Sequence, residues 1–480
     1  MSDLTDTISA ISTPHGEGGI GIVRMSGPAS ISIAKKIFIT PKGEGLNGIE
    51  SHKVIYGYIR DPDTRKRIDE VLLTIMHSPK SFTREDMVEI SCHGGFLPVR
   101  RILDLTLRHG ARLAEPGEFT KKAFLNGRIN LLQVEAVIDI IKSSSDIALE
   151  SAMIQLEGGL AKNITSMRDI LINMLAEIEV SIDFPDEDIE FTPLHSPPLQ
   201  RGGRGGIILQ KELETVFHEI EKLIDSYRYG KIYREGASVV IAGRPNVGKS
   251  SLMNALLNEE RAIVTSIPGT TRDTIEEGVN IKGLTINIVD TAGIREAEGL
   301  IELEGIRRTR TAIERGGLII FLIDGSEDLK EEDFRLIKEI REKNKPFIIA
   351  INKIDIRDKI DFKEIEREFS DTPLTREVIK ISALKNMGIR DLKNKIADIF
   401  YNGPSSIPDA PFITRERHRE LLSKANNSLR KAIISIDKNL SPEFIAADIR
   451  FALESLGEIT GETYTEDMLN RIFQEFCIGK

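Results

Sequence analysis

The chain has 480 residues, of which 40% are hydrophobic and 29% charged, and its formal net charge is −10. A chain of this length is too long for one hydrophobic core, so we expect about three domains. The acidic balance argues against a broad basic surface for nucleic acid, so any contact with nucleic acid would be local or shared with a partner. Two cysteines, Cys92 and Cys477, exclude a disulfide framework. The sequence shows neither a signal peptide nor a membrane span, which predicts a cytoplasmic protein.

The N-terminal part, residues 1–119, alternates short apolar runs with Gly/Pro turns. These runs include GGIGIVRMSG, KVIYGYI, EVLLTIM and MVEISCHGG. Apolar runs of this length between turns are typical of β-strands. We therefore expect an α+β domain.

Helical spacing of apolar residues characterises residues 120–235. It is clearest in LLQVEAVIDIIKSSSDIALESAMIQL and in KELETVFHEIEKLIDSYRY, which predict amphipathic helices. Between these stretches, residues 192–206 are rich in Pro, Gly and Arg. Such a segment buries too little apolar surface to order itself. We interpret it as a flexible insertion rather than an RNA-binding tail.

Strands and helices alternate through residues 236–402. Strands are predicted at ASVVIAG, INIVDTAG, GLIIFLIDG and PFIIAINK, and the alternation favours a mostly parallel α/β sheet. Residues 403–480 return to helical spacing. We therefore expect a discontinuous helical domain, 120–235 with 403–480, into which the α/β block is inserted.

A phosphate-binding loop opens the α/β block. Its sequence, Gly243-Arg-Pro-Asn-Val-Gly248-Lys249-Ser250, lies between a predicted strand and the predicted helix SLMNALL, the context that this motif requires. Backbone N–H groups would surround the phosphates at the helix N-terminus. Lys249 would contact the β- and γ-phosphates, and the Ser250 hydroxyl would bind Mg²⁺.

Three further motifs follow in order. Asp290-Thr-Ala-Gly293 ends a strand, where the carboxylate suits a water-mediated Mg²⁺ contact and the glycine amide can sense a γ-phosphate. Asn352-Lys-Ile-Asp355 follows PFIIAI, and its last carboxylate can accept from the N1–H and 2-amino groups of guanine, which adenine lacks. Ser382-Ala383 would close over the base. Together the motifs predict a Ras-like P-loop G domain that hydrolyses GTP.

The sequence offers several candidates for the residue that would orient the attacking water. Many small GTPases have a glutamine after the second motif, but this chain has Ile294, which neither donates nor accepts. The acids of the next segment are candidates: Glu296, Glu298, Glu302 and Glu304. Thr271 could complete the Mg²⁺ shell when GTP is bound. No cis arginine finger is evident, so a partner or a cation would neutralise the γ-phosphate charge.

Together with the flanking sequence, these motifs resemble the MnmE (TrmE) family of tRNA-modification GTPases over essentially the whole chain. The most distinctive stretches are DTISAISTPHGEGGIGIVRMSG, EPGEFTKKAFLNGRINLLQVEAV, DFPDEDIEF, AGRPNVGKSSLMNAL with IPGTTRD, and the terminal RIFQEFCIGK. A Cys-x-Gly-Lys end is typical of this family. The chain departs from the family in HSPPLQRGGRGG, which lengthens one loop and could affect partner docking.

The resemblance implies a K⁺-activated GTPase that acts with the flavoprotein MnmG in a heterotetrameric or larger complex. Together they would install an aminomethyl or carboxymethylaminomethyl group at C5 of the wobble uridine of certain tRNAs. The one-carbon unit would come from 5-formyltetrahydrofolate or another reduced folate, and FAD and NADH would bind only to the partner. The family also implies a homodimer through an N-terminal domain similar to folate-dependent aminomethyltransferases, with G domains that associate across K⁺.

The resemblance also implies site residues. K⁺ would be held by Asn246, Thr265, Ile267 and Thr270, and Mg²⁺ by Ser250 and Thr271. The water-orienting acid would be Glu302, and Lys249 would assist catalysis. The reduced folate would contact Arg24, Glu89, Arg128 and Lys480, and Cys477 would be functional in a role left open between catalysis and packing. The nucleotide-binding residues would be Asn246, Val247, Gly248, Lys249, Ser250, Ser251, Thr265, Ser266, Ile267, Pro268, Gly269, Thr270, Thr271, Asp290, Thr291, Ala292, Gly293, Asn352, Lys353, Ile354, Asp355, Ser382, Ala383 and Leu384.

Two other classes of protein fit the residues less well. A ribosome-assembly GTPase of the Era or Der type would carry a KH-type RNA module or a second G domain, and the sequence shows neither. A folate-dependent methyltransferase acting alone would not need GTP. The adjacent Cys92 and His93 lack a matching pair elsewhere, so we expect no metal site there.

Overall fold

The structure is a computed structural model in which the chain forms two compact units. One comprises Met1–Ile138, Gln155–Phe191 and Ser435–Lys480, and the other comprises Asp139–Ile154 and Thr192–Ile434. The described residues are 6–14, 16–43, 46, 48–183, 204–257, 276–290, 317–342, 345–357, 359–360, 378–400 and 410–480. Within these ranges, no helix has the length and apolarity needed to cross a bilayer.

A seven-stranded sheet forms the N-terminal part of the first unit. Its elements are β1 (Ile8–Ile11), β2 (Gly18–Ser26), α1 (Ser30–Ile37), β3 (Phe38–Ile39), β4 (Lys53–Arg60), β5 (Arg67–Met76), β6 (Met87–Gly94), α2 (Phe96–Arg108) and β7 (Arg112–Leu113). The strand order is β3-β4-β5-β6-β2-β1-β7, antiparallel except for the pair β1–β7. Side chains alternate between the faces of each strand, so one face buries residues such as Val23, Leu73 and Ile90 against α1 and α2.

Five helices follow the sheet. They are α3 (Glu118–Leu125), α4 (Leu131–Lys142), α5 (Asp146–Leu156), α6 (Gly159–Asp183) and α7 (Arg204–Glu235). Three serines separate α4 from α5, and the Ser145 hydroxyl caps α5 by accepting from the Ala148 amide at 3.2 Å. Helix α7 begins at Arg204, inside the segment predicted to be flexible, because each residue added to an existing helix contributes another backbone hydrogen bond.

A six-stranded sheet forms the centre of the second unit. Its elements are β8 (Ala237–Ala242), α8 (Lys249–Leu257), β9 (Glu276–Ile281), β10 (Leu284–Asp290), β11 (Leu318–Asp324), α9 (Glu331–Glu342), β12 (Phe347–Asn352), β13 (Val378–Lys380) and α10 (Ile389–Phe400). The strand order is β13-β12-β11-β8-β10-β9, and only β9 is antiparallel to its neighbour. Strands β11 and β12 are buried throughout, as expected for a parallel sheet covered by helices on both faces.

The C-terminal helices are α11 (Glu416–Asp437), α12 (Pro442–Thr460) and α13 (Glu466–Gln474). Helix α12 begins with a proline and ends at Gly461, whose φ of 82° terminates the helix. It packs on α6 within the first unit. The predicted fold classes, an α+β domain, a two-part helical domain and a mostly parallel G domain, are confirmed.

Candidate functional site

The phosphate-binding loop connects the central strand β8 to helix α8. Its carbonyls surround an ammonium group, because Lys249 Nζ donates to the Gly243 oxygen (2.8 Å) and to the Arg244 oxygen (2.7 Å). Ser250 lies exposed on the first turn of α8, where unpaired helix N–H groups favour an anion. Asn246 has a φ of 63°, a left-handed conformation that asparagine tolerates better than most residues. The loop therefore has the conformation of a phosphate-binding site.

Position 248 requires a glycine, because the side chain of Asn352 at the end of β12 lies very close to it. Its φ is 102°, and a Cβ atom there would lie 2.3 Å from Asn352 Nδ2. Any other residue would be strained in the backbone and would collide with this amide. The last glycine of the loop is therefore a packing requirement as well as a turn requirement.

Asn352 joins three of the predicted motifs. It ends β12 with 3% of its surface exposed. Its Nδ2 donates to the Val247 carbonyl at 2.8 Å, and its Oδ1 accepts from the Ala383 amide at 3.0 Å. The phosphate-binding loop and the Ser382–Ala383 segment are thus held together through one buried side chain.

Hydrogen bonds within the loop after β13 stabilise its conformation. Ser382 and Met387 exchange two hydrogen bonds of 2.9 and 3.1 Å, and Ser382 Oγ accepts from the Lys385 amide at 3.1 Å. Leu384 is exposed at the tip. On the neighbouring strand end, Ile354 and the exposed Asp355 form the turn that follows β12. This carboxylate therefore lies at the carboxyl edge of the sheet, where α/β proteins commonly bind their ligands.

Two ion pairs that the sequence analysis missed hold the phosphate-binding loop from both sides. Arg244 Nε donates to Asp333 Oδ1 at 2.7 Å, and both side chains are buried. Lys353 Nζ donates to the Asn246 carbonyl at 2.9 Å and to Asp324 Oδ2 at 2.6 Å. No local pattern marks these partners, although Asp324 could have been suspected from its place at a strand end that faces the site.

Several predicted residues lie outside the described residues. They are Thr265, Ser266, Ile267, Pro268, Gly269, Thr270, Thr271, Thr291, Ala292, Gly293 and Glu302. The backbone of Asp290 is among the described parts of the chain. Asp290 is the last residue of β10 and pairs with Ile241 of β8. The second motif therefore begins at the same edge of the sheet as the phosphate-binding loop.

A second group of predicted residues meets on the N-terminal sheet. Arg24 and Glu89 are cross-strand partners of β2 and β6. Arg24 Nε and Nη2 lie 2.8 and 2.7 Å from Glu89 Oε1. Because both contacts go to Oε1, the other carboxylate oxygen can accept from a ligand. Charge-assisted contacts of this kind fix the orientation of both side chains.

The C-terminal tail lies against this pair within the same unit. The Gly479 carbonyl accepts from Ser12 Oγ (3.0 Å) and from Arg24 Nη1 (3.4 Å). Gly479 has a φ of 96°, and a Cβ atom there would lie 2.2 Å from the Ile11 carbonyl oxygen. Cys477 is exposed, and its carbonyl accepts from the Gly117 amide at 3.4 Å. The tail brings Cys477 and the half-buried Lys480 to the sheet that carries the arginine–glutamate pair.

Arg128 reaches the same apolar cluster as Arg24. Its guanidinium lies 4.7 Å from the Phe82 ring centroid, and the Arg24 guanidinium lies 5.7 Å from that of Phe119. Both rings pack in one cluster with Ile8. Arg24 thus contacts both Glu89 and the C-terminal tail, and Arg128 packs on a ring of the same apolar cluster as Arg24.

Cys92 and His93 point to opposite faces of β6. Cys92 is buried, and burial raises the pKa of its thiol to about 11. His93 is exposed, with Nδ1 2.7 Å from Asp69 Oδ1, and this hydrogen bond raises the pKa of the imidazole above 6.5. The two side chains cannot share a metal ion, since successive strand residues face apart.

A phosphate-binding loop between β8 and α8, joined through the buried Asn352 to the Ser382–Ala383 segment at the carboxyl edge of a mostly parallel sheet, is the arrangement of a P-loop GTPase. Two family models match the chain: "GTP-binding protein TrmE N-terminus" over residues 7–128 and "MnmE helical domain" over residues 131–477. The chain therefore belongs to the MnmE family of tRNA modification GTPases.

Similar proteins extend over nearly the whole chain. The tRNA modification GTPase MnmE of Alkaliphilus oremlandii is 44% identical over 99% of this chain and 100% of its own length. The protein of the same name from Geobacillus kaustophilus is 45% identical over 99% of both chains. Among solved structures, Aquifex aeolicus Era bound to GDP and aluminium fluoride is 29% identical over 40% of this chain and 66% of its own; the TM-score is 0.28.

Proposed function

We propose that this chain binds and hydrolyses GTP in the course of tRNA modification. The observation that carries the proposal is the position of Asn352, which bridges the phosphate-binding loop and the base-binding loop through two hydrogen bonds of 2.8 and 3.0 Å. Asp355, exposed beyond it, would select guanine through the N1–H and 2-amino groups.

Of the proposed metal ligands, Ser250 and Asn246 are among the described residues, and both carry a side-chain oxygen. Ser250 offers a hydroxyl beside the phosphates, and Mg²⁺ prefers oxygen ligands; Thr271 would complete its shell. K⁺ would be held by the Asn246 amide together with Thr265, Ile267 and Thr270. When bound, K⁺ would supply the positive charge that an arginine finger supplies in other GTPases. Glu302 would orient the attacking water.

Steady-state GTP hydrolysis in KCl and in NaCl at equal ionic strength tests this mechanism. We expect stimulation by K⁺ of at least about tenfold, lost in Asn246→Ala. Glu302→Ala should retain GTP binding and lose hydrolysis. Equal slow rates in both salts would reject K⁺ activation and favour activation by a partner protein.

We further propose that the first unit binds a reduced folate, the source of the one-carbon unit. The pterin ring presents an amide N–H and a 2-amino group on one edge, and the Glu89 carboxylate could accept hydrogen bonds from both. Asp355 would accept from the same two groups of guanine. Arg24 orients this carboxylate, while Arg128 and Lys480 suit the glutamyl tail of the folate. Cys477 would lie nearby on the C-terminal tail.

Folate binding to two matched variants tests this site. A hydrogen bond to a charged group contributes about 1.5–3 kcal/mol, so Glu89→Ala should weaken 5-formyltetrahydrofolate binding by about 10- to 100-fold. Glu70→Ala, on an exposed position of the adjacent strand β5, should leave the affinity unchanged. Equal affinity of both variants would remove Glu89 from the site.

A homodimer through the N-terminal sheet is also proposed. The sheet face opposite the core exposes Val54 (62%), Tyr56 (45%) and Leu72 (47%), and contiguous apolar side chains of this kind mark interaction surfaces. Sedimentation velocity should show a dimer for the natural chain and a monomer for Leu72→Asp. A monomeric natural chain would refute this interface.

The proposed partners of this chain are tRNA and the flavoprotein MnmG. Deletion of the gene should remove C5 modification from the wobble uridine of the affected tRNAs, and a tagged chain should co-elute with an FAD-containing protein. Intact modification together with defective ribosomal subunits would instead favour a ribosome-assembly GTPase.

A further inference from the structure

Two contacts made by Lys353 connect the end of β11 to the phosphate-binding loop. Lys353 Nζ lies 2.6 Å from Asp324 Oδ2 and 2.9 Å from the Asn246 carbonyl oxygen. Lys353 and Asn246 both have positive φ values, 65° and 63°. Non-glycine residues adopt this conformation only where the surroundings hold them in it. The ammonium of Lys353 is therefore part of what keeps Asn246 in place.

Asp324 is itself rigidly held. It is 6% exposed, and its Oδ1 accepts from the Ser326 amide (3.0 Å) and hydroxyl (2.6 Å). Burial raises the pKa of this carboxyl, but the hydrogen bonds from Lys353 and Ser326 outweigh burial, so the pKa lies below its usual value. The carboxylate is therefore ionised at neutral pH. The next amide, of Gly325, donates to the Asn352 carbonyl at 2.7 Å, which ties the ends of β11 and β12 together.

The charge of this carboxylate has a consequence for cation binding. The Lys353 ammonium lies next to Asn246, the residue whose side chain would hold K⁺. An uncompensated ammonium would repel a monovalent cation there, because charges a few ångströms apart interact strongly near a protein interior. The Asp324 carboxylate neutralises it at 2.6 Å.

We propose that Asp324 is a positioning residue of the GTPase site: through Lys353 it holds the Asn246 backbone and neutralises the ammonium beside the K⁺ position. This inference rests on the proposed K⁺ activation for its cation effect. Its effect on the phosphate-binding loop does not depend on K⁺, since the Lys353–Asn246 contact is made by the protein alone.

Asp324→Asn removes the charge and keeps the size of the side chain. We expect the K⁺ concentration for half-maximal GTP hydrolysis to rise by about tenfold, with the maximal rate in saturating K⁺ changed by less than about threefold. The affinity for GDP in NaCl should fall by about tenfold, and Asp324→Glu should recover part of both effects. The control is Asp328→Asn in the same loop, where the carboxylate is 87% exposed; it should match the natural chain.

A double-mutant cycle separates positioning through Lys353 from a general structural role. Lys353→Met keeps the aliphatic chain and removes the ammonium, so adding Asp324→Asn to it should cause no further rise in the K⁺ concentration and no further loss of GDP affinity. In that background Asp324→Asn only neutralises a buried carboxylate that has already lost its ammonium partner. An equal effect of Asp324→Asn in both backgrounds, or none in the natural chain, would overturn the proposal. If the natural chain shows no K⁺ stimulation, K⁺ activation fails, and GDP affinity in the same four proteins still decides the role of Asp324. Stoichiometric GDP binding at saturation verifies that each variant is folded.

Discussion

Replacing Asn352 by alanine should uncouple the two halves of the nucleotide site. The substitution leaves the Val247 carbonyl and the Ala383 amide without their buried partner, at contacts of 2.8 and 3.0 Å. Each buried polar group left unpaired costs about 1–3 kcal/mol, so the total is about 2–6 kcal/mol. In the free protein, movement of either loop can relieve part of this cost. Nucleotide binding must then reverse the movement, which lowers the affinity. Where that movement relieves about 2 kcal/mol in the free protein, reversing it lowers the affinity for nucleotide by about 30-fold.

Isothermal titration of the full chain with GDP measures this loss. The matched control is Asn254→Ala on an exposed position of α8, which should bind GDP as the natural chain does. Gly248→Ala perturbs the same contact from the other side, since its Cβ would lie 2.3 Å from Asn352 Nδ2, and should lose affinity to a similar degree. An Asn352→Ala variant that binds GDP within threefold of the control would refute the bridging role.

Three further perturbations follow from described contacts. Asp333→Asn leaves the Arg244 guanidinium buried without its charge partner, and breaking such a pair costs about 3–5 kcal/mol; the urea midpoint for release of bound GDP should fall, and an unchanged midpoint would contradict this. The His93 imidazole should titrate above 6.5 by NMR because of its hydrogen bond to Asp69, and Asp69→Asn should lower its midpoint. Since the folded pKa is raised, the stability from this pair is complete below the unfolded pKa of about 6.5 and is lost as pH rises through the folded pKa. Gly479→Ala should displace the C-terminal tail from the arginine–glutamate pair, and unchanged folate affinity would show that the tail position is unimportant for binding.

Much of the fold could be predicted because its signals are local. Apolar runs between turns predicted β2, β4, β5 and β6, and the strand–loop–helix context of Gly243–Ser250 placed the phosphate-binding loop at the end of β8. The short strands β3 and β7, two residues each, carry too few residues for a periodic pattern. The start of α7 at Arg204 was also missed, because Gly and Arg in the insertion resemble a linker while the helix that follows extends back into them.

The sequence by itself determined the chemistry of the nucleotide motifs, since a phosphate-binding loop and a guanine-binding carboxylate are short patterns whose function depends on neighbouring residues. Tertiary structure alone decided which distant side chains complete them. Asp324 meets Lys353 because β11 and β12 are parallel neighbours that end at the same edge. Arg24 meets Glu89, 65 residues away, because the register of β2 and β6 makes them cross-strand partners. Strand order and register depend on the packing of the whole core, and no short stretch of sequence contains that information.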